Sequence, residues 1–171
     1  AGKQYGVDER AGNDFLSLSD GDKISYSFKS PVEADRFWAH AFTVLVEMLA
    51  KKETLYIYNP HEWFFFARKE SEEFLFKELQ TNNQKVWLTC GGATALDKHT
   101  AKYFDGSILQ FYMSHDEIFE VRNYYLNIFG AYIIEARIDE DIAKKVDGFY
   151  SAHTTVTSKT AQLLTELLTQ G

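Results

Sequence analysis

The sequence predicts an α/β fold, a three-layer αβα arrangement with a mainly parallel central sheet, followed by a β-hairpin and closing helices. Short apolar runs alternate with amphipathic helical segments along the first two thirds of the chain. Repeated strand–helix units favour right-handed crossovers and a parallel sheet covered on both faces. The tract 118–138 breaks this rhythm, because it is rich in β-branched and aromatic residues and has no helical period.

The composition indicates one acidic globular domain. The 171 residues are 45% hydrophobic, which suits a single core over 23–171 after a flexible, glycine-rich and aspartate-rich arm at 1–22. With 18 Lys and Arg against 25 Asp and Glu, the net charge of −7 argues against direct binding to a nucleic-acid backbone. One cysteine, no leader-like N-terminus and no apolar stretch of roughly 20 residues predict a cytoplasmic protein without membrane contact.

The first helix has the clearest signals. After an alternating strand over 24–28, Ser30 is a suitable cap, Pro31 suits the first helical position and Glu33 completes a capping box. Apolar residues from Ala34 to Leu49 then recur on one stripe, which predicts an amphipathic helix that ends near 51–52.

The remaining elements follow from similar patterns. Strands are predicted at 55–58, 86–89 and 107–112, with helices at 68–80 and 94–104 between them. A hairpin is predicted within 118–138, with Gly130 at its turn. Acidic residues at 139–141 mark the start of a helix that continues through Tyr150, and a last helix is predicted over 157–168.

The predicted ligand site lies where two strands end. A thiol, two glycines and a helix start follow one another there, and the carboxyl ends of parallel strands are where such sheets bind ligands. Backbone N–H groups and the helix dipole at this turn would suit an anion or lower the pKa of the thiol. The predicted ligand-binding residues are Asn59, His61, Cys90, Gly91, Gly92 and His115.

Each of these signals also has a purely structural interpretation. Tight strand-to-helix turns need glycine regardless of function, and Cys90 can be a small buried hydrophobe. The five histidines form no His-x3-His or His-Glu-x2-His pair, so neither a metal nor a cofactor is expected, and no catalytic residue is assigned.

The aromatic run Trp63, Phe64, Phe65 and Phe66 is the other unusual feature. Consecutive residues point in different directions, so all four cannot face one core. The run is therefore predicted to form an interface with a second copy or another protein, although a deeply packed loop explains it equally well.

The order of elements over about 55–168 resembles one half of a phospholipase D-like fold, of the kind attached to some prokaryotic regulators. The catalytic signature of that family is His-x-Lys-x4-Asp, and none of the five histidines is followed by lysine two positions later. The resemblance therefore implies a non-catalytic member that binds or senses rather than cleaves.

The sequence supports two candidate functions. The first is a non-catalytic sensory or regulatory domain that binds a small ligand at the sheet rim and forms a homodimer or binds a regulatory partner. The alternative is a small thiol-dependent enzyme or anion-binding protein that uses Cys90 at its strand-to-helix turn.

Overall fold

The structure is a computed structural model that describes residues 3–5, 14–48 and 53–170. It begins with a small parallel pair, β1 (Lys3–Tyr5) beside β2 (Ile24–Tyr26). A short 3₁₀ helix over Asp14–Ser17 buries Phe15 in the main core. The described part of the predicted arm, 1–22, therefore contributes a strand and a core side chain, and the rest of that arm lies outside the described residues.

Helix α1 (Pro31–Met48) starts where the sequence predicts. The Glu33 backbone N–H donates to Ser30 Oγ over 3.3 Å, and the Lys29 backbone N–H donates to Glu33 Oε2 over 3.1 Å. The first bond satisfies a helix N–H group that has no partner within the helix, and the second ties the chain just before the cap to the first turn. The predicted end near 51–52 lies outside the described residues.

The main sheet is mixed rather than mainly parallel. The three adjacent strands over 55–59, 86–90 and 109–113 are parallel, and the last of them is an edge strand. The strand over 124–129 runs antiparallel to both of its neighbours, and one of these is its partner in the predicted hairpin. Gly130 in the turn has a φ of +58°, a conformation that favours glycine. The strands are β3 (Leu55–Asn59), β4 (Val86–Cys90), β5 (Leu109–Met113), β6 (Tyr124–Phe129) and β7 (Tyr132–Arg137), in the spatial order β5-β4-β3-β6-β7.

Five further helices connect and close the sheet. The predicted helix at 68–80 is confirmed with a shift of one residue, because Arg68, with φ −137° and ψ 42°, lies outside the helical region and separates this helix from a short helical turn before it. The predicted helix at 94–104 is one short α-helix followed by a 3₁₀ turn over Ala101–Tyr103. The helices are α2 (Phe64–Ala67), α3 (Lys69–Thr81), α4 (Ala95–Thr100), α5 (Glu140–Ala152) and α6 (Ser158–Leu168).

The two faces of the sheet differ in burial. One face packs Ile57, Leu88 and Leu109 into the core with α1 and α3. The opposite face leaves Trp87 and Tyr112 exposed, stacked with ring centroids 4.5 Å apart. The expected third layer is therefore absent from this face among the described residues, because exposed side chains lie where a covering helix would pack.

Candidate functional site

Two parallel strands end side by side and bring the predicted rim residues together. Asn59, the last residue of β3, is paired in register with Cys90, the last residue of β4. The segments that follow, 60–62 and 91–92, therefore meet at the same edge of the sheet. The His61 ring lies beside Gly92 at this edge.

His61 is held between two carboxylates. Its Nδ1 lies 2.9 Å from Asp97 Oδ1 and its Nε2 lies 2.8 Å from Asp147 Oδ1. The imidazole also stacks on Tyr150 with ring centroids 4.0 Å apart. Because both ring nitrogens already have partners, His61 has no free nitrogen to offer a substrate.

Arg122, in the loop before β6, is the fourth member of this cluster. Its Nη2 lies 3.1 Å from Asp147 Oδ1, and its Nη1–H donates to the Gly91 carbonyl oxygen over 3.1 Å. The His61 centre, by which we mean His61, Asp97, Asp147 and Arg122, thus contains two basic side chains and two carboxylates in alternation.

The electrostatics of the His61 centre favour the charged form of each member. Burial lowers the pKa of His61, but hydrogen bonds and charges from Asp147 and Asp97 outweigh it, so the pKa is raised. Burial acts to raise the pKa of Asp97 and of Asp147, yet the partners that face them lower both. The centre is therefore a set of matched charges.

The two glycines are explained by crowding around this centre. A Cβ added at Gly92 would lie 2.4 Å from Asp97 Oδ2 and 2.8 Å from the His61 ring. A Cβ at Gly91 would lie 2.5 Å from the Tyr58 hydroxyl. These glycines permit close packing of the chain on itself, and neither faces open space.

Cys90 has the properties of a buried structural thiol. It is 0% exposed, and its Sγ lies 3.3 Å from Asp97 Oδ1 and 3.7 Å from the Pro60 carbonyl oxygen. Burial and the neighbouring Asp97 raise its pKa well above the usual value. Because the thiolate is the nucleophilic form, this environment opposes the chemistry that the alternative function requires.

The predicted anion position is occupied by the chain itself. Asp97 Oδ2 accepts hydrogen bonds from the Thr94 backbone N–H over 3.0 Å and from Thr94 Oγ1 over 2.8 Å. A carboxylate from α4 thus fills the start of its own helix. The rim around Cys90 is filled by side chains, which argues against a ligand there.

The other predicted residues have different surroundings. His115 is exposed and lies outside the His61 centre. Asn59 turns inward, and its Nδ2 donates to Glu62 Oε1 over 2.7 Å. Trp63 and Phe65 are buried and Phe64 and Phe66 are half-buried, so the aromatic run is packed rather than presented as an exposed interface.

A cavity lies on the buried side of the sheet, next to Asn59 and Glu62. Its volume is about 60 Å³, measured as the space open to the centres of water molecules. At roughly 10–15 Å³ for one water, this is room for several waters or a small ligand. Residues from α1, α3, β3 and β6 are among those that line it, and two further lining residues, Ala34 and Ala136, are half-buried.

Several polar atoms that line this cavity lack partners. Asp35 Oδ1, Asn127 Oδ1 and Trp38 Nε1 are buried and make no hydrogen bond among the described residues. Asp35 and Asn127 are each only 3% exposed. Buried polar groups without partners are uncommon because each costs roughly 1–3 kcal/mol, so their concentration here singles out this cavity.

Sequence reasoning missed most of these residues. Asp97 had one local signal, since Thr94 and Asp97 have the spacing of a capping box. Asn127 had another, because it takes an inward-facing position in an otherwise apolar strand. Asp35, Asp147 and Arg122 gave no signal, because their partners lie more than 20 positions away along the chain.

The comparisons with known proteins found no match. No family model, no curated protein and no solved structure matches the chain, so the phospholipase D-like fold remains a prediction. Within 3–5, 14–48 and 53–170, no cluster of three or more His, Cys, Asp or Glu side chains is arranged to hold a metal ion. In the same residues, no helix has both the length and the apolar character needed to cross a membrane.

Proposed function

We propose that this chain is a non-catalytic sensory or regulatory domain that binds a small ligand in the cavity beside Asn59. The observation that carries the proposal is the set of unpartnered buried atoms in that cavity, Asp35 Oδ1, Asn127 Oδ1 and Trp38 Nε1. A ligand that pairs with these atoms removes their desolvation cost, and that recovered free energy contributes to its affinity.

The His61 centre supports the non-catalytic part of the proposal, because both ring nitrogens of His61 already have partners. A general base or nucleophile needs a free atom that faces the substrate, whereas both His61 nitrogens contact carboxylates and Cys90 is buried as a thiol.

The alternative function is tested by iodoacetamide labelling of the native chain. We expect Cys90 to stay unlabelled up to about pH 8.5, the ordinary thiol pKa. Rapid labelling near pH 7 would favour the thiol enzyme.

Binding is tested with three probes of similar size, isobutylamine, isobutanol and isobutyrate, by saturation-transfer NMR. We expect at least one probe to bind, at concentrations up to about 10 mM because ligands this small bind weakly. Ala34→Trp places an indole at the cavity margin and should abolish the signal. Arg36→Trp, on the exposed side of the same helix, is the matched control. Circular dichroism checks that both variants fold, and a signal that survives Ala34→Trp would contradict the proposal.

Self-association is the second part of the proposal, and the open sheet face supports it. Tyr56, Trp87, Tyr112 and Ile133 are exposed large hydrophobic residues on this face. Patches of this kind mark interaction surfaces in soluble proteins. Glu135 and Arg137, exposed farther along the β7 side of this face, are of opposite charge, so a second copy related by a two-fold axis suits it.

Light scattering over a range of concentrations tests the second copy. We expect a concentration-dependent mass that the double variant Trp87→Ser with Tyr112→Ser reduces to the monomer value. Phe74→Ser is the control, because Phe74 is 69% exposed but lies on α3. A monomer at every concentration would refute self-association and leave the ligand proposal untouched.

A further inference from the structure

The cavity combines three buried carboxyl groups with one neighbouring cation. Asp35, Glu62 and Glu72 line it and are 3%, 1% and 3% exposed. Arg68 faces this group and pairs with Asp35 through Nη1 and Oδ2. If all four were ionised, three negative charges would face one positive charge. In that fully ionised state the site would lack positive charge, which a cationic ligand can supply.

The unpartnered atoms point to the same kind of ligand. Two of the three are acceptors, Asp35 Oδ1 and Asn127 Oδ1, and both belong to residues that are only 3% exposed. An ammonium group carries several N–H donors and no acceptor, so it suits such a pair. The third atom, Trp38 Nε1, is a donor and would be satisfied by a water or a ligand hydroxyl.

Aromatic rings supply the rest of the lining. Trp38, Trp63, Phe64 and Phe76 all face the cavity. Ring faces attract cations electrostatically, and more strongly where water is excluded. They also offer apolar area to the alkyl part of a ligand. An acidic cavity with aromatic walls is therefore complementary to an organic cation rather than to a hydrated inorganic one.

We propose that the ligand of this cavity is a small organic ammonium ion that donates to Asp35 Oδ1 and Asn127 Oδ1 and packs its alkyl part on the aromatic walls. This inference rests on the proposed function, because it specifies the ligand class for the same cavity. An anion would face three carboxyl groups, and a purely apolar ligand would leave both acceptors unpaired.

Protonation of the carboxyl groups explains how the cavity exists without a cation. Burial raises the pKa of Glu62 to about 8 and that of Asp35 to about 6, and it raises the pKa of Glu72 well above its usual value. Tyr125 from β6 also lines the cavity, and burial raises its pKa, so it stays neutral. Burial thus favours the protonated form of both glutamates, and a bound cation would displace a proton from this set.

Calorimetry with matched probes tests the inference. Isobutylamine, isobutanol and isobutyrate are titrated separately into the full chain at pH 7, in two buffers that differ in ionisation enthalpy. We expect isobutylamine to bind at least about tenfold more tightly than isobutanol, as one charge-assisted hydrogen bond provides. We also expect its binding to release protons, seen as heats that differ between the two buffers.

A variant without one acceptor locates the contact. Asn127→Leu removes the unpartnered Oδ1 while keeping a side chain of similar shape, and we expect it to weaken isobutylamine binding by about tenfold. Glu47→Gln is the control, because Glu47 is an exposed carboxylate on α1 outside the cavity, and it should leave binding unchanged. Unchanged amine affinity in a folded Asn127→Leu variant would overturn the inference.

The outcomes separate the inference from the proposed function. If isobutanol or isobutyrate binds as tightly as the amine and Ala34→Trp blocks it, the ammonium class is wrong and the ligand site stands. If none of the three probes binds, both the ligand class and the site are refuted.

Discussion

The His61 centre and the cavity are neighbours with opposite hydrogen-bonding states. In the centre, His61 contacts the carboxylates of Asp97 and Asp147, and Arg122 contacts that of Asp147, at distances of 2.8 to 3.1 Å. In the cavity, Asp35 and Asn127 each keep one acceptor atom without a partner. Both regions are polar, partly buried and close to the ends of the central strands.

The difference between the two regions bears on how sites are recognised. The end of a parallel strand is a good prior for a ligand site, and a histidine beside a cysteine strengthens it. Here the same residues satisfy one another, so their chemistry stabilises the fold. The unsatisfied groups are a better guide to ligand binding, because only they improve when a ligand arrives.

Removal of His61 should produce the largest effect. His61→Ala leaves Asp97 and Asp147 without their shared partner, and loss of one member of a buried ion pair costs about 3–5 kcal/mol. Urea unfolding measures the change. His115→Ala is the matched control, since His115 is exposed and should change stability by less than about 0.5 kcal/mol. Equal effects would mean that the His61 centre is not a stabilising unit.

The cavity should make the free energy of unfolding depend on pH, because it buries a carboxyl group. Glu62 keeps its proton up to about pH 8 in the folded chain but ionises near 4.5 when unfolded, so stability falls as pH rises through this window. The raised pKa of His61 acts in the same direction, because its contribution is complete below pH 6.5 and is lost above its folded pKa. The lowered pKa values of Asp97 and Asp147 act below pH 3.8, where stability falls as pH falls.

Glu62→Gln isolates the contribution of the cavity to this profile. The amide has no charge to bury, so the variant should gain stability relative to the parent at pH 8, by on the order of 3 kcal/mol, and much less at pH 5. Thermal unfolding across this range measures it. A parallel shift at every pH would show that the Glu62 carboxyl is not held protonated by burial.

Gly92→Ala should disturb the His61 centre more moderately. The new Cβ would lie within 2.8 Å of Asp97 Oδ2 and the His61 ring, and overpacking of this kind costs about 1–3 kcal/mol. Gly148→Ala in α5 is the control, because nothing lies within 4 Å of its added Cβ and alanine favours a helix by about 0.5–1 kcal/mol. The two glycine variants should therefore shift the melting temperature in opposite directions.

The smallest expected effect on stability is that of Asn127→Leu. Its amide oxygen has no hydrogen bond to lose, so an apolar side chain of similar shape should change stability by less than about 1 kcal/mol. Chemical unfolding without added ligand measures this. A loss comparable to that of His61→Ala would mean that Asn127 has a structural partner, and the contrast between the two regions would disappear.

Local signals predicted most of the helices and strands. Ser30, Pro31 and Glu33 placed the start of α1, and Gly130 placed the hairpin turn. The pairing of β6 was not predictable in the same way, because an antiparallel neighbour of β3 is set by how the hairpin packs. The open outer face also escaped prediction, since Tyr56 and Trp87 look like core residues in the sequence.

The candidate site was predictable only where it follows the strand ends. Asn59, His61 and Cys90 were brought together because the strands that carry them are parallel neighbours. Asp147 and Arg122 come from α5 and from the loop before β6, and the cavity depends on the spacing between α1 and the sheet. Such groups assemble only in space, so their residue types carry no local signal of partnership.

The positions of the three tryptophans make them useful intrinsic fluorescence probes of two different regions. Trp38 and Trp63 line the cavity, whereas Trp87 is exposed on the far face of the sheet and stacks on Tyr112. Emission from the first two should respond to cavity occupancy, and emission from the third to solvent quenchers such as iodide. In a Trp87→Phe variant, the remaining tryptophan fluorescence would come from the cavity walls alone, which gives a label-free signal for screening ligands.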